Sequence, residues 1–199
     1  LSTANNKVDV SVFQKPKKGN YYCGDSYFYA ETENEFLCVI ADGLGSGEYA
    51  TESSQIVIQI IKENMNISVE ELVKKANQQL YGKRGVVLGI LKMDFSKKEY
   101  SFSSIGNIGV IQYTAEKKKR SIPNSGYLGG YERPFKVFKD TLEDNMTFIM
   151  FSDGVKDKEL SKLYIKDKEV ECITKSYVYI SEDERKDDTT FIAIRYNGN

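Results

Sequence analysis

Val8, Val10 and Val12 alternate with polar neighbours near the start of the chain, the period of a half-buried strand. Residues 28–31 and 36–41 predict two more strands, parted by the polar Thr32, Glu33 and Asn34. The run from Phe36 to Ala41 has no polar side, as in a strand covered on both faces. From Glu48 to Met65 the period lengthens: Ala50, Val57, Ile61 and Met65 share one helical face, with Ser54 in the same row. The β-branched Ile56, Val57, Ile58, Ile60 and Ile61 pull that segment toward strand. A second helix is marked at its start by Ser68 and Glu71, a capping box, and by Leu72, Val73, Ala76 and Leu80 along one face.

Beyond Gly82 the pattern predicts strands at 86–93, 100–105, 109–114, 135–142 and 146–152. Residues 94–98 and 115–119 read as hairpin turns, and the basic run Lys117 to Arg120 as part of a solvated turn. Helical character returns at 158–165 and 170–180, and a last strand is expected at 189–195. No repeat, low-complexity tract or Pro-rich linker interrupts the chain. Strands, two helices, a long antiparallel-looking series, a helical stretch and a strand make an α+β arrangement, not an alternating α/β one.

At 199 residues, 40% of them hydrophobic, the chain is expected to form one domain, residues 1–199. Its net charge of −1 gives no reason to expect nucleic acid or a membrane surface as partner. No apolar run reaches membrane-spanning length, and the polar start, Leu1 to Asn6, lacks a signal-peptide core. Cys23, Cys38 and Cys172 are widely spaced and odd in number, which reads as reduced thiols in a cytoplasmic protein. The count of zero histidines restricts the chemistry most. It excludes Ser-His-Asp and Cys-His catalysis and His-ligated metal centres, leaving carboxylates, lysines, hydroxyls or a carboxylate-bound metal.

Four segments bring acids to the ends of predicted strands. They are Gly24-Asp25-Ser26, Ala41-Asp42-Gly43 with the following Gly45-Ser46-Gly47, Ser152-Asp153-Gly154, and Asp187-Asp188-Thr189-Thr190. One Asp-Gly after a strand is an ordinary turn. Four acids delivered to the rim of a sheet core are a set of hard oxygen donors suited to Mg²⁺ or Mn²⁺. Gly45 to Ala50 also fits a G-x-G-x-x-A dinucleotide pattern, but Glu70, at the distance of the required acid, falls inside the second helix. No Cys is followed by the loop and Arg of a cysteine-dependent phosphatase, no D-x-D serves an aspartyl-phosphate enzyme, and no D-[ST]-G marks an aspartic protease.

In order and spacing, these four motifs resemble those of the PPM family, the phosphatase 2C-like metal-dependent protein phosphatases, and within it the SpoIIE-type branch. The resemblance spans Gly24 to Ile194. The short length and the wording at 23–28 and 185–190 are most similar to a feedback phosphatase of bacterial stress-response signalling. The resemblance implies a four-layer α-β-β-α sandwich of two antiparallel sheets flanked by helices, holding two Mn²⁺ or Mg²⁺ at one end. It implies that Asp42 bridges the ions, the Gly43 carbonyl binds one of them, Asp153 and Asp187 hold the other, and Asp25 assists at the metals, through a metal-bound water or directly. Asp42 and Asp25 are then the catalytic residues, and Asp188 shapes the turn. The implied reaction is hydrolysis of phosphoserine or phosphothreonine by a metal-activated water. The implied partners are phosphorylated stress-signalling scaffold or anti-anti-sigma-type proteins, and the implied role is negative feedback on sigma-factor signalling.

The chain departs from that family in three respects. It has no histidine to protonate the leaving oxygen, and no arginine shortly before Asp25; Lys17 and Lys18 are the nearest cations, weak candidates for phosphate binding that read more readily as solvated loop residues. It is also too short for a large substrate-defining flap. The competing reading is a non-catalytic regulator of the same fold that binds a phosphoprotein without hydrolysing it. Loss of a ligating aspartate would favour that reading, and none is lost.

Overall fold

The computed structural model describes residues 6–181 and 185–198, so most of the polar start read at 1–6 lies outside the described residues. Among these described residues, ten strands form two five-stranded antiparallel sheets. In chain order they are β1 (Val8–Lys15), β2 (Asp25–Glu31), β3 (Glu35–Gly43), β4 (Val86–Asp94), β5 (Glu99–Ile105), β6 (Gly109–Tyr113), β7 (Lys118–Arg120), β8 (Phe138–Thr141), β9 (Thr147–Phe151) and β10 (Thr189–Tyr196). One sheet has the order β1-β10-β9-β6-β7, the other β2-β3-β4-β5-β8. The helices are α1 (Glu48–Glu63), α2 (Val69–Gln78), α3 (Asp157–Leu160) and α4 (Val170–Ile180).

Side-chain alternation along the central strands explains the four layers. On β3, Phe36, Cys38 and Ile40 enter the core between the sheets, beside Phe148 and Met150 of β9 and Ile192 and Ile194 of β10. Leu37, Val39 and Ala41 point the other way, onto Val57 and Ile61 of α1 and Leu72 and Ala76 of α2. The continuous apolar run at 36–41 is therefore two half-patterns, one for each face. The opposite sheet does the same: Ile149, Phe191 and Ala193 pack beneath Val170, Ile173 and Tyr177 of α4. The expected α-β-β-α sandwich is the observed one.

The β-branched residues do not turn α1 into a strand, because Val57, Ile58 and Ile61 are buried against the sheet. Tertiary burial outweighs the few tenths of a kcal/mol per residue by which they disfavour helix. The side chain of Lys92, on β4, reaches the carbonyl oxygens of Met65 and Ile67 and the Glu35 carboxylate, so polar groups between α1 and α2 are satisfied.

Three local expectations are corrected. The basic run at 117–120 is not wholly a turn: Lys118 to Arg120 form β7, paired with β6. As an exposed edge strand it carries the cations that discourage pairing with another chain. The strand expected at 135–142 is confined to Phe138–Thr141, whose four residues are all exposed on the far edge of the other sheet. The helix expected at 158–165 is the single turn α3, followed by turns. The capping box at Ser68 is present, its Oγ accepting from the Glu71 amide and the Glu71 carboxylate accepting from the Ser68 amide. Ser68→Ala is expected to cost about 1 kcal/mol in urea unfolding while leaving the acidic end of the sandwich untouched. An unchanged unfolding midpoint would show that the cap carries no stability.

Candidate metal and catalytic site

All four acid-bearing segments arrive at one end of the sandwich. Asp25 opens β2 and Asp42 nearly closes β3, and the antiparallel register sets them directly opposite one another. Asp153 follows β9, and Asp187 and Asp188 precede β10, which is paired with β9 in the facing sheet. The two Asp-Gly glycines are required by close approach rather than by turn geometry. A Cβ at Gly43 would run into the Ala50 carbonyl, so only glycine lets the end of β3 lie against the start of α1. A Cβ at Gly154 would strike the Asp188 carbonyl and the Thr189 hydroxyl, so glycine also lets the turn after β9 abut the start of β10.

Asp25 is the most buried of the four, at 3% exposure. Its Oδ2 accepts from the Ser152 hydroxyl at 2.6 Å and from the Thr190 hydroxyl at 2.7 Å, both on the opposite sheet. The Ser152 Oγ in turn accepts from the Thr190 amide at 2.8 Å, and Gln14 donates to both the Thr190 Oγ1 and the Asp25 carbonyl. Asp25 Oδ1 is buried without a hydrogen-bond partner. An orphaned carboxylate oxygen at that depth is costly unless a cation or solvent meets it.

Asp42 is half-buried, Asp153 and Asp187 are exposed. Burial first, and then the charges of Asp25, Asp153, Asp187 and Asp188, push the Asp42 carboxyl up to about 8. Burial also raises Asp25, against the opposing effect of the two hydroxyl donors, and raises Asp153, with Asp187 and Asp188 adding to it. These mutual shifts place the carboxylates in one another's field. Among the described residues no three acidic or cysteine side chains are gathered into a finished ligand cage. The residues nevertheless fit a hard divalent ion: oxygen donors only, an excess of negative charge, and one buried oxygen with no partner.

Asp188 has a different task. Its Oδ1 accepts from the Lys17 amide at 2.8 Å and its Oδ2 from the Gly24 amide at 3.0 Å, pinning the loop that leads into Asp25. Lys17 and Lys18 lie on that loop, half-buried and exposed respectively, and the Lys18 amide donates to the Arg185 carbonyl. Three supporting residues were not legible as site residues. Ser152 and Thr190 sit inside quoted motifs, yet only the sheet register shows that they reach Asp25. Asn107, whose side-chain amide donates to Asp153 Oδ2 at 2.6 Å, occupies the β5–β6 turn, where Gly106-Asn107 was a signal available in the sequence.

The sequence profile of the family described as Stage II sporulation protein E (SpoIIE) matches residues 32–197. The chain belongs to the SpoIIE family. It is 33% identical over 189 residues to the phosphoserine phosphatase RsbX of Bacillus subtilis (strain 168), covering 94% of each chain. A crystal structure of RsbX in complex with magnesium superposes with a TM-score of 0.87 at 33% identity, over 96% of both chains. The PP2C phosphatase domain of SpoIIE from Bacillus subtilis shares the fold, with a TM-score of 0.79 at 19% identity over 96% of this chain and 62% of that one. The likeness to the SpoIIE-type branch of PPM phosphatases, and within it to RsbX, is thus borne out.

Because folding raises the Asp42 carboxyl from 3.8 to about 8, the folded chain holds a proton there that the unfolded chain has released. The cluster therefore opposes folding increasingly as pH rises through that window. Chelator-treated protein is expected to lose stability from about pH 4 toward pH 8, and Asp42→Asn to flatten the decline and stabilise the metal-free fold at pH 8. Thermal unfolding across that range checks it, and a wild-type profile retained by Asp42→Asn would contradict it.

Proposed function

We propose that the acidic end of the sandwich is the hydrolytic centre of a serine/threonine phosphoprotein phosphatase, dependent on two Mn²⁺ or Mg²⁺. The observation that carries the proposal is the convergence of Asp25, Asp42, Asp153 and Asp187 from both sheets, with a buried oxygen of Asp25 left free. Family membership and the RsbX likeness support the reaction class. Asp42 and the Gly43 carbonyl, with Asp153 and Asp187, are the donors proposed to hold the ions, and Asp25 the acid proposed to assist. Bound divalent ions supply Lewis-acid charge, which lowers the pKa of water and offsets the charge of the phosphoryl oxygens.

The chain's own residues supply the rest. Ser152 and Thr190 hold Asp25 by one oxygen and so fix where the other points. Asn107 restrains Asp153, and Asp188 fixes the approach of the Asp25 loop. Lys17 and Lys18, on that loop, are the proposed phosphate-facing cations. The substrates are proposed to be phosphoserine or phosphothreonine on stress-signalling scaffold or anti-anti-sigma-type proteins in the cytoplasm, with the enzyme acting as a negative feedback element. No helix among the described residues is long and apolar enough to cross a membrane. The non-catalytic alternative gains nothing from the site, because all four acids are retained and gathered at one end, with one buried oxygen of Asp25 unpartnered.

Phosphate release from a phosphoserine protein is expected to require Mn²⁺ or Mg²⁺, to stop with EDTA and to survive thiol alkylation. Asp42→Asn and Asp153→Asn are each expected to lower kcat at least about 100-fold while the fold persists. Turnover in EDTA, or wild-type turnover in either variant, would refute the assignment.

A further inference from the structure

Arg185 is a guanidinium side chain with 2% exposure, placed just before Asp187 and outside the cluster of acids. Its Nη1 donates to Glu159 Oε1 at 3.0 Å and Oε2 at 3.3 Å, and its Nη2 to the Tyr177 hydroxyl at 3.0 Å. The Tyr177 hydroxyl donates in turn to Glu159 Oε2 at 3.2 Å. The guanidinium lies 5.8 Å from the Phe13 ring centroid and 5.5 Å from that of Tyr177. Nη1 also makes a longer contact, 3.4 Å, with the Gly154 carbonyl, and the Arg185 carbonyl accepts from the Lys18 amide at 2.9 Å.

A buried ion pair of this kind does little for net stability, since desolvating both charges offsets most of their attraction, and apolar residues of similar size often serve as well. Its placement is more informative. Glu159 belongs to α3, which begins just after Asp153-Gly154, and Arg185 stands two residues before Asp187. The pair therefore joins the two segments that carry Asp153 and Asp187. Both acids repel each other, so a spacing that suits an ion must be imposed from outside the cluster. The contact to Gly154 reaches the residue beside Asp153 itself, and the Lys18 contact extends the same restraint to the loop before Asp25.

We infer that Arg185 is a positioning residue for the metal centre: through Glu159, Tyr177 and the Gly154 carbonyl it sets the separation of Asp153 and Asp187, and with it the affinity for the divalent ion. This rests on the metal-centre reading above. A restraint one layer behind the ligands typically contributes about 10–100-fold in metal affinity.

The test is the double variant Arg185→Met/Glu159→Met, which removes both charges together, with Arg185→Lys as a milder companion. A lysine ammonium cannot span Glu159, Tyr177 and Gly154 at once. Mn²⁺ binding is read by titration calorimetry, folding by thermal unfolding, and kcat and the Mn²⁺ activation constant with p-nitrophenyl phosphate. The expected result is a double variant that unfolds at or above the wild-type temperature, binds Mn²⁺ about 10–100-fold more weakly, and regains turnover as Mn²⁺ is raised. Arg185→Lys is expected to shift Mn²⁺ affinity in the same direction by a smaller factor, which keeps the test decisive should the double variant not fold. Wild-type Mn²⁺ affinity in either folded variant overturns the role assigned to Arg185. Wild-type protein that binds no Mn²⁺ overturns the metal centre itself, and this role with it.

Discussion

One buried carboxylate ties the two sheets together at the end where the acids gather. Asp25 belongs to β2, yet its hydrogen-bond donors lie across the sandwich, Ser152 just after β9 and Thr190 near the start of β10. Those bonds are charge-assisted and short, and they are shielded from water. They fix the separation of the sheets at this end, which decides how near Asp42 comes to Asp153 and Asp187. Everything proposed for the site depends on that separation.

The cost of the arrangement is written into the same residues. Several carboxylates held in one another's field raise each other's affinity for protons, and Asp42 bears most of that strain. The surrounding structure contains the repulsion by assigning each acid a fixed task. Asp188 spends both oxygens on backbone amides, Asp153 is held by Asn107, and Asp25 is held by one oxygen only. Close-approach glycines beside Asp42 and Asp153 then let the end of β3 lie against the start of α1 and the turn after β9 against the start of β10.

Much of this was legible in the sequence, and the reasons differ by element. β1, β3, α2 and β10 follow period and capping, because each buries a face that its own residues announce. The acids were legible because each ends or begins an apolar strand. β7 was not, since a three-residue edge of cations has the same composition as a solvated turn, and only its pairing with β6 distinguishes the two. α1 was ambiguous because its β-branched residues carry a strand preference that only packing on the sheet overrides. The partners of Asp25 were invisible for another reason. A hydroxyl's aim across a sandwich depends on register between strands far apart in the chain, and no local pattern encodes it. The same holds for Arg185, which reads as a surface charge until α3 and α4 are seen closing over it.

The position of β10 has a consequence for how the protein comes into being. This strand lies between β1 and β9, so the earliest and latest strands of the chain are hydrogen-bonded neighbours. During synthesis β1 emerges long before its partner, and until β10 arrives it has no strand to pair with in its own sheet. Contacts of such wide sequence separation form slowly, because the loop must close before anything rewards it. The nascent chain thus carries Asp25 and Asp42 without the hydroxyls that will hold Asp25 until Ser152 and Thr190 have been made. The acidic end of the sandwich is therefore assembled late: Asp25 gains its two hydroxyl donors only once residues 152 and 190 have both been made and β10 has settled between β1 and β9.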